Sequence, residues 1–372
     1  MNVPRFFLLL SAAAAVSAAD HRAARIAWDS STLVLIQRGG IYGRMARLPG
    51  QRILCVYERA ARVYTRRSSD EGRTWEDERL VAQFPFGTAA NPEVLVLPNG
   101  WIIISYNERP NDHVHPYTIR VTTSRDDGDT WSEPRLVYEA GIESGTGCWE
   151  PALIRLPWGE IQLYFANEKP YPDTAEQEIA MLRSFDDGET WRDAERISFR
   201  AGRRDGMPVP LVLEEGKGIA VAIEDNGLSG AFKPAIVHTA LEDNWQAGYV
   251  DGRSDRRWSA LELPLAPAVY GGAPYLRQFP RGETVLSFQS GEGRPFGNVL
   301  DFSRMAVYIG DSDARNFTSR SFPFAVPEDA SGLWNALFIK NASTVTAISG
   351  TTIDGVRGLW AIDGRLEYQE EE

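Results

Sequence analysis

The sequence has few of the residues on which several protein classes depend. Among its 372 residues are two cysteines, Cys55 and Cys148, and four histidines. Two cysteines are too few for a disulfide scaffold or a thiolate zinc site, and whether they pair is left open. No apolar run reaches about 18 residues, so no segment qualifies as a membrane-spanning helix. His113 and His115 are the one close histidine pair, in a loop-like stretch, and no metal site is expected.

Positive charge is also scarce. Lys and Arg number 39 against 51 Asp and Glu, which gives a net charge of −12. This balance argues against nucleic acid or an anionic membrane as the partner. Hydrophobic residues at 43% and charged residues at 24% are typical of a folded domain rather than a disordered chain.

The N-terminus has the pattern of a secretory leader. One arginine precedes an apolar stretch over 6–16, and small residues follow. The stretch is too short to anchor a protein in a membrane. Glycosylation sequons at Asn316 and Asn341 agree with secretion. We therefore expect a signal peptide over 1–19 and a single extracellular domain over 20–372.

An eight-residue pattern, Ser-x-Asp-x-Gly-x-Thr-Trp, occurs three times, at 68–75, 124–131 and 184–191. Asp and Gly are typical of a tight turn, and a tryptophan can cover such a turn as an apolar plug. β-like runs flank each copy, so each is interpreted as a hairpin turn. Catalytic or calcium-binding roles for the aspartates are disfavoured, because the same chemistry would hardly be needed three times.

A second repeat consists of six pairs of apolar runs joined by turn residues, at the same spacing of about 60 residues. The sequence therefore predicts an all-β fold, a six-bladed β-propeller with four strands per blade and Asp-box turns. Few residues remain for the fourth strand of the last blade. The early run 32–36 is expected to supply it and so to close the ring.

The strand order predicts where a site can form. The start of the first strand and the end of the second strand of each blade lie at one rim, and the Asp boxes lie at the other. The second strands end in Glu58, Glu108, Glu168 and Glu224, and the first strands begin near Arg44, Asn91, Glu150, Asp205, Tyr270 and Trp334. Converging carboxylates raise the pKa of one member, and a glycosidase needs a protonated acid beside an ionised partner.

The boxes, the leader and the six blades resemble the sialidase-like Asp-box superfamily. The hairpin ends are similar to those of the secreted fungal exo-α-1,5-L-arabinanases, glycoside hydrolase family 93. The segments that carry this resemblance are 41–48, 150–157, 162–168, 206–209, 222–226, 272–276 and 286–290. They span most of the chain outside the leader.

The resemblance implies an exo-acting hydrolase that releases arabinobiose from linear α-1,5-arabinan, with retention and without a metal or cofactor. It implies that Glu168 and Glu224 are the catalytic pair, and which of them is the acid stays open. The substrate, a polysaccharide or oligosaccharide, is expected to contact Arg44, Asn91, Glu108, Glu150, Asp205, Tyr270, Gln289 and Trp334. Trp334 stands where the family has a tyrosine, which leaves the exact glycan open.

Two alternatives remain. A sialidase needs three arginines that converge on the sialate carboxylate. Arg44 matches one arm, but Arg277 and the pair Arg203 and Arg204 give no convincing set. A non-catalytic propeller could use the same rim to bind glycan or protein. In each case we expect a monomer.

Overall fold

The computed structural model describes residues 24–295 and 300–368, and these residues form a β-structure throughout. The expected leader at 1–19 lies outside the described residues. Within the described ranges, 24 strands form six sheets of four antiparallel strands each.

Each sheet is one blade of a propeller, and its strands are adjacent in sequence in blades 1 to 5. Blade 1 contains β2 (Ile41–Arg47), β3 (Ile53–Arg59), β4 (Arg62–Ser68) and β5 (Arg79–Gln83), and blade 2 contains β6 (Gly87–Val96), β7 (Ile102–Pro110), β8 (Thr118–Ser124) and β9 (Arg135–Glu139). Blade 3 contains β10 (Cys148–Arg155), β11 (Ile161–Asn167), β12 (Glu178–Ser184) and β13 (Glu195–Ser198), and blade 4 contains β14 (Asp205–Leu213), β15 (Gly218–Asp225), β16 (Lys233–Thr239) and β17 (Arg257–Ser259). Blade 5 contains β18 (Gly271–Gln278), β19 (Thr284–Ser290), β20 (Arg304–Gly310) and β21 (Thr318–Ser321), and blade 6 contains β22 (Gly332–Asn341), β23 (Thr344–Ile353), β24 (Val356–Tyr368) and β1 (Ala24–Arg38). Short 3-10 turns cover Pro49–Gln51, Ser144–Thr146, Glu214–Gly216 and Leu300–Phe302.

The blades form a closed ring around an axis. Their first strands, β2, β6, β10, β14, β18 and β22, contact one another in an unbroken cycle. The second strands also pack against the next blade, as β11 does against β14 and β19 against β22. Both β11 and β19 are buried along their whole length. Burial on both faces explains why these strands appear in the sequence as continuous apolar runs. The predicted six-bladed propeller is confirmed.

The ring closes through the N-terminal strand. β1 pairs antiparallel with β24, from Ala24 opposite Tyr368 to Arg38 opposite Gly358. Residues from both ends of the chain thus share blade 6, and β1 covers an edge of β24 that would otherwise be exposed. The run predicted to close the ring lies within β1.

The three Asp boxes are turns between the third and fourth strands of blades 1 to 3, as predicted. In the second, Asp126 Oδ1 accepts hydrogen bonds from Ser124 Oγ (2.8 Å) and Thr130 N (2.9 Å), and Asp126 Oδ2 accepts one from Thr130 Oγ1 (2.6 Å). Gly128 has a positive φ of 86°, and Trp131 packs over it. Both carboxylate oxygens of Asp126 are thus used inside the turn.

Three further sequence features are placed by the structure. Cys55 and Cys148 are buried and unpaired, in blades 1 and 3. The sequon residues Asn316 and Asn341 are both exposed, while secretion itself stays a prediction. Among the described residues, no helix is long and apolar enough to cross a membrane.

Candidate active site

The six first strands all begin with the same β-bulge. The register slips by one residue at each, and a residue with a φ between 50° and 56° sits at the slip. A bulge bends the strand and redirects a side chain. The bulge residues are Tyr42, Asn91, Glu150, Met207, Ala273 and Trp334. They surround the axis at the rim where the first strands begin, which we call the upper rim; the Asp boxes mark the lower rim.

Four of the six bulges are each held by a side chain that belongs to the second strand of the preceding blade. Its oxygen accepts a hydrogen bond from the backbone N–H of the bulge residue, at 2.5–3.4 Å. The acceptors are Glu58, Asn107, Glu224 and Gln289, and they contact Asn91, Glu150, Ala273 and Trp334 respectively. We call this hydrogen bond between blades the latch. Its acceptor is an amide in two blades and a carboxyl in two, so the latch does not require a charge.

Glu224 combines the latch with an unusual electrostatic position. Its Oε2 accepts the N–H of Ala273 at 2.8 Å. Burial raises the pKa of Glu224 to about 7, against the opposing effects of that hydrogen bond and of the Arg204 charge. At neutral pH this carboxyl is therefore available both as a proton donor and as a carboxylate.

Glu150, the bulge residue of blade 3, is the second carboxyl of this kind. Burial raises its pKa to about 7, and the charges of Glu224 and Glu168 add to the effect. The guanidinium of Arg109, 3.7 Å from Glu150 Oε1, acts in the opposite direction. The Glu150 side chain remains 15% exposed, so it borders open space at the axis.

Glu168 lies one residue beyond the end of β11 and has a different environment. Its Oε2 accepts the Trp149 indole N–H at 2.8 Å, and its Oε1 pairs with the Arg204 guanidinium. Both oxygens thus act as acceptors, and the side chain is only 6% exposed. Arg109 and Trp149 are not among the positions predicted from the sequence, and Arg204 was considered there only as an arm of a sialidase arginine set. Arg109 could have been found, because it follows Asn107 on the same face of β7.

The remaining polar residues of the site are contributed by blades 5 and 6. Tyr270 OH accepts the Gln289 amide N–H at 3.3 Å, and Gln289 also accepts Trp334 N. Burial and the Glu224 charge raise the pKa of Tyr270, so its hydroxyl keeps its proton. A methyl group on Gly272 would overlap the Tyr270 hydroxyl and lie 2.5 Å from Glu224 Oε2. Tyr270 and Glu224 therefore converge on one point above β18.

Four apolar bulge residues, from blades 1, 4, 5 and 6, meet across the axis. Tyr42, Met207 and Ala273 pack together, with Trp334 against them, and the Tyr42 and Trp334 ring centroids are 6.1 Å apart. The site thus has an apolar floor under polar walls, a lining that suits a sugar ring. Of the predicted positions, Asn91, Glu150, Glu168, Glu224, Tyr270, Gln289 and Trp334 lie around this floor.

Arg44 lies below the floor, contrary to the prediction. It is 3% exposed, stands between the rings of Tyr42 and Tyr275 at 4.0 and 4.7 Å, and pairs with Glu93 at 3.6 Å. The reason is the bulge: it places Tyr42 in the upper position and moves Arg44 one layer down. A substrate at the axis does not reach this guanidinium.

Asp205 and Glu108 are also placed away from the axis. Asp205 is fully buried, pairs with Arg257 and accepts Ser198 Oγ at 2.9 Å. Glu108 accepts Thr118 Oγ1 at 2.7 Å and Arg120 Nε at 2.9 Å within its own blade. Successive strand residues point to opposite faces, and Glu108 is the neighbour of the latch residue Asn107. These two carboxyls hold strands together rather than line the site.

The described residues thus form a six-bladed β-propeller with carboxyls near its axis. No protein-family model matches the chain, and no curated protein matches its sequence. Among solved structures it is similar to the family 93 α-L-arabinofuranosidase of Fusarium graminearum in complex with arabinobiose, with a TM-score of 0.69 and 17% identity over 91% of this chain and 98% of that one. It is also similar to the α-L-arabinanase of Penicillium chrysogenum complexed with arabinobiose, with a TM-score of 0.67 and 18% identity over 91% and 98% of the two chains.

A Hadza microbial sialidase has the same fold at greater distance, with a TM-score of 0.61 and 14% identity over 88% of this chain and 66% of that one. The predicted resemblance to the arabinanase family is thus confirmed in the fold. At these identities the activity has to be inferred from the site.

Proposed function

We propose that this protein is a secreted, exo-acting glycoside hydrolase that releases arabinobiose from linear α-1,5-L-arabinan. The observation that carries the proposal is the group of three carboxyls, Glu150, Glu168 and Glu224, close enough for their charges to interact, two of them with a pKa raised to about 7. Glycoside hydrolysis needs a carboxylic acid and a carboxylate on either side of the scissile bond.

Glu224 is the proton donor in this proposal. Its raised pKa keeps a substantial fraction protonated near neutral pH, where an acid catalyst is most effective. The hydrogen bond from Ala273 N fixes Oε2, which leaves Oε1 to face the leaving-group oxygen. Tyr270, beside the same carboxyl, offers a neutral hydroxyl for the substrate.

The ionised partner is either Glu150 or Glu168. Glu168 is the residue predicted from the sequence, but both of its oxygens already accept hydrogen bonds, from Trp149 and Arg204. Glu150 is more exposed and borders the axis. We therefore assign the partner role to Glu150 and a supporting role to Glu168, which holds Arg204 beside the site.

The site favours a neutral sugar over a sialoside. A sialidase needs arginines free to bind a carboxylate. Among the described residues, Arg44 is buried below the floor, while Arg109 and Arg204 face Glu150 and Glu168. Two proteins of the same fold were solved with arabinobiose bound, which supports arabinan as the substrate.

The test is product analysis with two substrates. Incubation with debranched, linear arabinan should release arabinobiose, without the longer oligosaccharides that cleavage inside the chain would give. A sialoside should not be hydrolysed. Release of sialic acid, or no reaction with arabinan, would contradict the proposal.

A further inference from the structure

Three loops of the upper rim meet beside blades 2 and 3. The loop before β6 is joined to the loop after β7, because Asn111 N donates to Phe86 O at 3.1 Å. That second loop is joined to the one before β10 through Tyr117 N and Gly141 O, at 2.9 Å. The His113 ring and Glu143 connect the same two loops, with 3.3 Å between Nδ1 and Oε2.

These loops present an exposed apolar surface, which we call the rim patch: Phe86, Val114, His115 and Ile142. Val114 is 71% exposed, and Phe86 and Ile142 are each 45% exposed. The rings of Phe86 and His115 are stacked, with centroids 3.8 Å apart and planes 13° apart. Large apolar side chains grouped on a surface typically mark a place where something binds.

The rim patch is held in a fixed conformation. Asp112 Oδ2 lies 2.6 Å from His115 Nδ1, and Asp112 Oδ1 accepts the backbone N–H groups of Val114 and His115 at 3.0 and 3.1 Å. The imidazole is therefore fixed against Phe86 before any ligand arrives. A rigid aromatic surface loses little conformational entropy on binding.

The loop that carries Val114 and His115 is anchored at the candidate active site. The Tyr117 and Trp149 ring centroids are 4.9 Å apart, and Trp149 donates to Glu168. The Arg109 guanidinium lies 4.9 Å from the centroid of the same tryptophan ring. Arg109 is near the end of β7, just before the loop that carries Val114 and His115. Arg109 and Tyr117 thus stand on either side of the loop segment that carries Val114 and His115, and both contact the tryptophan that binds Glu168.

A polymeric substrate has to leave the site across the upper rim. Tyr42, Met207, Ala273 and Trp334 pack together across the axis, so a chain cannot continue through the propeller. The end of the glycan lies above this floor, and the rest of the chain must pass over the loops around it. Aromatic faces are suited to the flat apolar faces of sugar rings.

We propose that the rim patch is a distal subsite that binds sugar residues of the same arabinan chain whose end is cleaved at the axis. This inference rests on the proposed function. The subsite adds affinity for long chains and takes no part in the chemical step. A substrate too short to reach from the axis to Phe86 gains nothing from it.

The experiment compares linear arabinan with arabinotriose as substrates for Phe86→Ala and Val114→Ser. Phe185→Ala is the matched control, because Phe185 is 53% exposed but follows β12 at the lower rim. Phe86→Ala should raise KM for arabinan roughly 3- to 10-fold, the size of one aromatic contact, with kcat unchanged. KM for arabinotriose should stay the same in all three variants.

An equal KM for arabinan in Phe86→Ala and wild type, or an equal rise with both substrates, would overturn the inference. If Phe86→Ala unfolds, Val114→Ser decides by the same comparison, since Val114 is a surface side chain. If the wild type hydrolyses neither substrate, the proposed function fails and the distal subsite fails with it. If arabinan is hydrolysed and the variants match wild type, only the subsite is refuted.

Discussion

At the scale of single residues, the number of residues between a carboxyl and the hairpin turn before it decides whether that carboxyl reaches the site. The latch residues Glu58, Asn107, Glu224 and Gln289 occupy equivalent places in their strands. The sequence pattern groups Glu58, Glu108, Glu168 and Glu224 together as the ends of the second strands. The register places Ala166 at the latch position of blade 3, so Glu168 lies two residues further on. Counting from the turn shows that Glu108 and Glu168 do not occupy the latch position, which the letters alone do not show.

The first prediction separates the two partner carboxyls. Glu150→Gln should lower kcat on linear arabinan by about 10²–10⁴-fold, because it removes a carboxylate from the reacting position. Glu168→Gln should lower it less, since Arg204 loses its ion pair but the reacting carboxyls remain. Steady-state kinetics of the two purified variants make the comparison. The reverse order of effects would restore the pair predicted from the sequence, Glu168 and Glu224.

The second prediction concerns stability and pH. The pKa of Glu150 and of Glu224 is about 7 in the folded protein, against an ordinary value of 4.5. The folded state therefore binds these protons more tightly than the unfolded chain. The free energy of unfolding should fall as pH rises from about 4.5 through about 7, by up to about 1.4 kcal/mol per pH unit and proton.

Glu224→Gln removes one of the two titrating carboxyls, and with it that carboxyl's contribution to the pH dependence of stability. As pH rises from 5 to 8, the free energy of unfolding of the variant should therefore fall less than that of wild type. Urea unfolding of both proteins at the two pH values measures the difference. Parallel pH dependence in the two proteins would mean that Glu224 has an ordinary pKa.

At the scale of elements, the repeated bulge and latch position the site, and the sequence hides them. Five of the six bulge residues are neither Gly nor Asn, the residues that usually signal a positive φ. The Asp boxes were easier to predict, because each carries its turn residues in a fixed pattern. The bulge is also why Arg44 is buried, so the error at Arg44 and the missed role of Tyr42 have one cause.

The third prediction tests how closely β15 and β18 approach. Gly272→Ala should lower kcat/KM strongly with a modest loss of stability, because the new methyl group displaces the Tyr270 hydroxyl and the Glu224 carboxyl. Gly145→Ala is a suitable control, since nothing lies within 4 Å of its added carbon. Kinetics and thermal unfolding of both variants provide the measurement. Wild-type kcat/KM in Gly272→Ala would mean that this contact does not hold the acid.

The fourth prediction concerns the Asp boxes. Asp126→Ala removes two acceptor oxygens and their three hydrogen bonds in a lower-rim turn, so Tm at pH 7 should fall by roughly 1–4 °C while kcat/KM is retained. The Thr130 donors hold the pKa of Asp126 at about 2, below its ordinary value of 3.8. The Tm difference from wild type should therefore shrink as pH falls from 3.8 towards 2. Lost turnover with an unchanged Tm would refute the structural role.

At the scale of the whole molecule, the ring and its closure were predictable and the chemistry was less so. The 60-residue spacing and the shortage of residues in the last blade together predicted that β1 would complete blade 6, because an open ring would leave an unpaired edge. The placement of Trp149 and Arg204 was not predictable, since it depends on contacts between blades. Secretion, the monomeric state and the absence of a metal stay predictions.

The central claim is that Glu224 supplies the proton for glycoside cleavage, and the turnover of Glu224→Gln on linear arabinan tests it most directly. Glutamine can keep the latch to Ala273 N, as Gln289 does with Trp334 N. Arabinobiose release should therefore fall by at least about 10²-fold in a protein whose Tm at pH 5 matches wild type. Glu58→Gln, the same change at the latch of blade 1, should cost much less. Near-normal release of arabinobiose by Glu224→Gln would contradict the account.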